Sequence, residues 1–215
     1  MKVVLDNLGT YADGWLTTIQ LAVLSFLLAF AIGLLVAGMR VSPLKPARAA
    51  GTAYVDVFRN SPLPVLALLF WFGLPKIGLN YESRFLVAMA VLALYTGAFL
   101  GETIRSGINA VAVGQSEAAR SVGLTFLQNL RLVILPQALR TVVQPIGNIW
   151  IALVKNTAVA SLIASPELMY RTSQLITAES RPVALLLGAA TGYLVLTLTS
   201  GFALTAIERR VAIKR

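Results

Sequence analysis

The chain contains no cysteine and no histidine. Without cysteine it has no disulfide framework and no thiolate nucleophile. Without either residue it lacks the usual ligands of a structural zinc site, and no metal site is expected. Charge is scarce as well. Asp, Glu, Lys and Arg make up 13% of the residues, where soluble domains average about a quarter. That is too little to coat a water-facing surface. Acids are the scarcest, nine against 18 basic residues, for a net charge of +9. The basic residues are scattered and have no aromatic-studded polar face beside them, which argues against a nucleic-acid partner. No GxxxxGK[ST] segment is present, so nothing here cradles ATP phosphates. No serine-centred or paired-carboxylate arrangement stands out, so no catalytic residue is assigned and an enzyme is not expected.

What remains is apolar. Of 215 residues 57% are hydrophobic, and mean hydropathy is +0.78. The composition is that of an all-α integral membrane protein. The N-terminal MKVVLDNLGTYADG carries two acids and one lysine. A signal peptide has a basic start and a short apolar core; here the first apolar run is too long, and it reads as a retained span. A span needs about 20 apolar residues. Five are expected: 15–39, 51–75, 85–105, 141–163 and 183–207, within a single domain over 1–215. In the first, Ala29, Gly33 and Ala37 recur every fourth residue and form a face for close packing. The second contains Asp56 and Arg59 and is interrupted by Pro62 and Pro64. The fifth carries Gly188 and Gly192 at GxxxG spacing. The stretch 164–182 reads as a polar loop.

Five crossings put the termini on opposite sides. One side then holds eleven basic residues: Arg40, Lys45, Arg48, Arg105, Arg120, Arg131, Arg140, Arg209, Arg210, Lys214 and Arg215. The other holds five, Lys2, Lys76, Arg84, Arg171 and Arg181, while Arg59 and Lys155 lie within spans. The richer side is cytoplasmic. The expected orientation is therefore N-terminus outside and C-terminus inside.

The segment 114–123, GQSEAARSVG, is polar and falls on the cytoplasmic side. Ser116 is placed to cap a short helix near 117–122, and Glu117 suits the positive end of its dipole. Gly123 suits the left-handed position that ends a helix. Thr125 is placed to cap a second helix running toward Pro136. Two short helices would meet in an elbow, with Ala118 and Ala119 as a small-residue tip, Glu117 and Arg120 at its edge, and Leu124, Phe126 and Leu127 as apolar contacts. Such an elbow either docks in a groove of a soluble partner or lies on the lipid surface.

The spacing from Glu117-Ala118-Ala119 through Gly123 and Val133 to Leu135-Pro136 resembles the EAA loop of ABC importer permeases. Val133 stands where that pattern usually has Ile. RNSPLPVLALLFWFGLP (59–75), SGINAVAVGQSEAARSVGL (106–124), LPQALR (135–140) and PIGNIWIALVKNTAVASLI (145–163) resemble permeases for polar amino acids. The likeness is greatest to the paired permeases of actinobacterial glutamate-uptake systems. The resemblance implies a type I importer permease fold with a cytoplasmic coupling helix in the loop 107–136. It implies that Gln115, Glu117, Ala118, Ala119, Arg120, Gly123 and Leu124 engage an ATPase dimer, which alone holds ATP and Mg, so that no cofactor is bound by this chain. It also implies a second homologous permease, in a heterodimer or a homodimer, and an extracytoplasmic solute-binding protein, with membrane lipid around the whole. The function implied is inward movement of a polar amino acid, glutamate foremost. The alternative class is a stand-alone secondary transporter or channel.

Ionisable groups inside spans are costly and tend to face cavities. Lys155 lies roughly 21 Å along its helix from Thr141, in the outer half. Asn148, seven residues earlier, shares nearly the same face. Cation and amide together suit an amino-acid carboxylate; the competing reading is a lysine that snorkels to headgroups. Arg59, followed by Asn60 and Ser61, stands at a helix break where backbone groups can meet a solute, or else pairs with Asp56. Thr96 falls mid-span. Thr157 completes the candidate solute-pathway set; many relatives follow that Thr with Ser-Leu, where this chain has Ala158-Val159. Glu102 is expected to pair with Arg105.

Overall fold

In the computed structural model every element among the described residues is helical. The structure describes residues 2–211, and side chains as far as residue 206. Lys214 and Arg215 of the basic tail lie outside the described residues, as do the side chains of Arg209 and Arg210.

Helix α1 (Lys2–Asp6) leads into α2 (Leu8–Val41). Helix α3 (Lys45–Asn60) runs to a break at Ser61 and Pro62, and α4 (Leu63–Leu68) continues through a π-helical turn (Leu69–Gly73) and a 3-10 turn (Leu74–Ile77). Next come α5 (Arg84–Asn109), α6 (Val113–Ser121) and α7 (Phe126–Asn129). A second π-helical turn (Leu130–Ile134) passes into α8 (Leu135–Thr141), α9 (Val143–Asn156) and a 3-10 stretch (Thr157–Ile163). Helices α10 (Leu168–Glu179) and α11 (Pro182–Val211) follow.

Among the described residues four segments are long and apolar enough to cross a membrane: Leu8–Val41, Arg84–Asn109, Val143–Ile163 and Pro182–Ala206. The second expected span is not a straight crossing. Its arms, Lys45–Asn60 and Leu63–Ile77, are bent by 103°. Pro62 and Pro64 remove backbone donors at the joint, and the residue before a proline is pushed out of the helical region. The count is therefore four, or five if the bent pair is one crossing.

Helices α2 and α5 form the centre. The small face of α2 lies at their contact: Ala29 is fully buried, Ala37 is 1% exposed, and a Cβ added at Gly33 would stand 2.7 Å from Cβ of Leu100. On α5, Gly97 meets Ile32 and Gly101 meets Val36. Glycine on both sides lets the backbones approach, the packing mode available where lipid is as apolar as leucine. At one end the α2–α5 pair is clamped by charge. Glu102 accepts from Arg105 at 2.6 Å, as its i,i+3 spacing predicts, and also from Arg40 of α2. At the other end Leu63, Leu66 and Ala67 pack on Val87, Ala88 and Val91 in the largest apolar cluster. The glycines of α11 pack on the start of α2, with Gly188 against Tyr11, while the Trp15 indole donates to the Gly192 carbonyl at 3.2 Å.

One expectation is overturned outright. The stretch 164–182 is not a loop, because it contains α10. Glu167 caps that helix by accepting from the backbone N–H of Met169 at 2.9 Å and of Tyr170 at 2.7 Å. Leu168 and Thr172, one turn apart, face inward and are buried. Polar Ser173, Gln174 and Thr177 take the outer face and give the segment its loop-like composition.

Candidate functional site

Two places stand out, an elbow outside the spans and a cavity at mid-depth. The elbow begins where α5 ends at Asn109. The chain turns over 110–112 and starts α6 at once, with Ala112 as N-cap and no side-chain cap. The helix thus begins before Ser116, which is not its cap. Ser116 has a different job. Its Oγ accepts from Nδ2 of Asn129 at 2.8 Å, and from the Arg120 guanidinium at 3.3 Å. This ties α6 to the end of α7, a contact that sequence spacing did not suggest.

At its far end α6 closes as expected. Gly123 has φ +86°, its N–H donates to the Arg120 carbonyl at 2.9 Å, and the Leu124 N–H donates to the Ala119 carbonyl at 3.1 Å. Those two bonds are the Schellman pattern. Thr125 then caps α7: it exchanges bonds with Gln128 in a full capping box. Gln115, Glu117, Ala118, Arg120 and Gly123 face outward, and Leu124 is half-buried. The expected pair of small tip residues is halved. Ala119 is 5% exposed and turned toward the π-helical turn, because α6 must rest one face on the segment it returns to. Apolar side chains crowd the outer rim, with Val122 76% and Leu127 69% exposed.

The mid-depth cavity, about 160 Å³, lies between α5 and α9. Tyr95, Thr96 and Phe99 of α5 face Ile149, Ala152 and Asn156 of α9 across it. Thr96 is the midpoint of the 26-residue α5, so Asn156 and its neighbour Lys155 sit near the middle of the span. The outer-half position inferred for Lys155 is corrected accordingly. The reason is that α9 does not complete the span: the 3-10 stretch Thr157–Ile163 continues it and packs beside α4. Asn148 and Lys155 are both exposed. They share a face with Ala152, four residues from one and three from the other.

Arg59 does not line the cavity but packs on one of its walls, Phe99. Its guanidinium lies 5.2 Å from the centre of the Phe99 ring, a cation–π distance. It makes no ion pair with Asp56; among the described residues the ion pairs are those of Glu102. Asn60 and Ser61 turn their side chains back onto the carbonyls of Asp56 and Val57 at 2.7 Å each. Thr157 stands apart. It is fully buried and donates to the Val154 carbonyl at 2.7 Å, on the side away from Asn148 and Lys155. Sequence reasoning singles out neither Phe99 nor Asn156. Their shared position on facing helices is visible only once α5 and α9 are paired.

Glu167 is the other residue missed. It is fully buried and accepts from the Tyr193 hydroxyl besides its two backbone donors. Burial pushes its carboxyl up to about 7, against the three hydrogen bonds, which pull it down. Thr18 of α2 accepts from the N–H of neighbouring Leu168 at 3.1 Å. The cluster joins α2, α10 and α11. Its signal was the Pro166-Glu167 pair before an apolar residue, a helix-start pattern.

Known proteins agree with this architecture. Residues 14–213 match the family described as binding-protein-dependent transport system inner membrane component. A probable glutamine ABC transporter permease protein, GlnM of Bacillus subtilis, is 37% identical over 211 residues, covering 98% of this chain and 97% of that one. The glutamate transport system permease protein GluC of Corynebacterium glutamicum is 40% identical over 210 residues, covering 92% of each. Among solved structures, an amino acid ABC transporter crystallised with histidines matches with TM-score 0.87 at 33% identity, covering 96% of both chains. The methionine transporter MetNI in an inward-facing form matches in fold, with TM-score 0.83 at 21% identity over 97% of this chain and 99% of that one. The chain is a multi-pass cell-membrane protein with the type I importer permease fold, a transporter component and not an enzyme, and it belongs to the family of binding-protein-dependent transport system inner membrane components.

Proposed function

We propose that this permease carries a polar amino acid inward, glutamate before other candidates, driven by a separate ATPase dimer that docks on α6. The observation that carries the reading is the elbow. It is a short helix outside the spans, rigidly capped at Gly123, with Glu117, Ala118 and Arg120 outward and exposed apolar residues on its rim. Exposed apolar surface marks a contact with protein or membrane, and the outward charges of Glu117 and Arg120 favour a protein partner. A rigid knob transmits the opening and closing of its partner to α5 and α8, between which it is strung. ATP and Mg belong to that partner.

The solute reading rests on the mid-depth cavity. At about 160 Å³ it is smaller than a complete small-molecule site of ~300 Å³ or more. It is open toward the exposed face of Asn148 and Lys155, where a second permease of the same fold would close it. Its lining includes Tyr95, Thr96 and Asn156, and two cations stand beside lining residues, Arg59 on Phe99 and Lys155 next to Asn156 in the chain. Two cations suit a solute with two carboxylates, and a relative named for glutamate transport points the same way, while one named for glutamine shares only the α-amino acid part.

Orientation follows from charge and from the bent pair. Gly51 of α3 packs beside Met39 and Arg40 near the end of α2, while Leu63 and Leu66 of α4 pack near the start of α5. The pair thus passes from one end of the α2–α5 core to the other and counts as one crossing. With five crossings the charge asymmetry supports α6 and the basic ends of α2 and α5 in the cytoplasm, and the N-terminus outside with an extracytoplasmic binding protein delivering solute. The test is uptake by the reconstituted complex with ATPase, second permease and binding protein, against labelled glutamate, aspartate, glutamine and arginine. ATP-dependent glutamate accumulation supports the reading. Uptake by this chain alone, driven by an ion gradient without ATP, would replace it with the secondary-transporter alternative.

A further inference from the structure

A cavity of about 580 Å³ lies behind the elbow, where α6 and α7 face the ends of α2 and α5. The mid-depth cavity shares no lining residue with it, and of the outward residues Glu117, Ala118 and Arg120 of α6 only Arg120 lines it. Its walls are mostly apolar: Val41 and Pro43 at the end of α2, Ile108 at the end of α5, Val113, Phe126 and Ile134 across from them.

Two features describe what fits there. The first is depth. Val41 is the last residue of α2 and Ile108 the penultimate one of α5. Both spans end at this cavity, so it opens at the level of lipid headgroups and runs down toward the acyl region. The second is charge. Arg120 lines the cavity. Arg48 does not line it but is held beside it, donating to the carbonyls of Ser42 at 2.8 Å and of Pro43, a lining residue, at 3.1 Å. No acidic side chain lines the space.

We infer that this cavity holds an anionic phospholipid. Its phosphodiester meets Arg120, with Arg48 beside Pro43 as the second cation, and an acyl chain follows Val41 and Ile108. Basic pockets at the inner ends of membrane helices attract anionic headgroups in this way. A zwitterionic choline lipid has the phosphate but no net charge. Placement in the inner leaflet rests on the orientation proposed above; binding itself does not.

The test is native mass spectrometry of the purified, delipidated importer complex given equimolar phosphatidylglycerol and phosphatidylcholine. Retention of phosphatidylglycerol is expected to exceed that of phosphatidylcholine, and Arg48→Ala to cut it about fivefold, the usual effect of one basic residue on an anionic headgroup. Val41→Trp, which puts an indole where the acyl chain would lie, is expected to abolish the preference while the complex remains assembled. Equal retention of both lipids, or unchanged preference in both variants, overturns the inference. Displacement of the lipid by soluble glycerol phosphate overturns it too, because the apolar walls would then contribute nothing. Since the readout is retention in detergent, its failure is separate from any failure of uptake.

Discussion

Gly123 holds φ +86° at the end of α6, and a Cβ built there meets no atom within 4 Å. Substitution at this position therefore carries a backbone cost and no steric one. For an ordinary L residue the left-handed conformation costs roughly 1–2 kcal/mol, and least for Asn. A β-branched residue pays more. The cost falls on the turn that supports the two closing bonds, to the carbonyls of Arg120 and Ala119. At ~1.4 kcal/mol per factor of ten, Gly123→Ala lowers the population of the closed elbow about fivefold to thirtyfold relative to its open forms. If the elbow carries ATPase movement into the spans, coupled uptake follows that population. The expected order of ATP-driven uptake is Gly, then Asn, then Ala, then Val. The assay compares uptake with ATP hydrolysis in the reconstituted complex, and co-purification of the ATPase checks assembly. A Gly123→Val variant that transports like the parent would refute the reasoning, since the strain would then have no functional consequence.

Three further outcomes are expected. Lys155→Ala impairs uptake while leaving ATPase docking intact, read as a lower rate with unchanged co-purification; unchanged kinetics would remove Lys155 from the solute pathway. Glu102→Gln removes the partner of both Arg40 and Arg105 and lowers thermal stability by about 1–3 kcal/mol, between the values for an exposed and a buried pair because these side chains are partly exposed, checked by the melting temperature of the purified complex. Glu167 titrates near 7 in the fold, above its ordinary 4.5, so the fold favours its protonated form. The stabilisation is fully present below pH 4.5 and is lost as pH rises to 7, about 3 kcal/mol from a shift of that size. Between those limits the parent loses stability with rising pH more steeply than Glu167→Gln; parallel curves would contradict the assignment.

Local chemistry announced itself in the sequence, and tertiary placement did not. Gly123, Thr125 and the prolines at 62 and 64 act on their own backbones, so their consequences were readable from neighbours alone. The Glu102–Arg105 pair and the small face at Ala29, Gly33 and Ala37 follow from helix periodicity. Ser116 misled because a hydroxyl before an acid is also a cap signature, while the real start of α6 was decided by where α5 ended. Ala119 and Ala118 are identical in kind, and only the returning π-helical segment distinguishes them. In α2 the lipid-facing and protein-facing sides are both apolar, so hydropathy could not say which side met α5. The α10 helix was hidden because its outer face is polar and its inner face depends on Glu167, Leu168 and Thr172 meeting α2 and α11. The mid-depth cavity needed two helices to be paired before Tyr95, Thr96, Phe99 and Asn156 had a common meaning.

The chain has no cysteine, so Ala118→Cys puts a single thiol at the tip of the elbow. The most direct measurement is labelling and cross-linking of that thiol in the assembled importer. A thiol-to-amine cross-linker should join this chain to the ATPase subunit, and a membrane-impermeant maleimide should reach the thiol only in opened cells. Labelling from outside intact cells, or no adduct although the ATPase co-purifies, would contradict the claim that α6 is the cytoplasmic docking point.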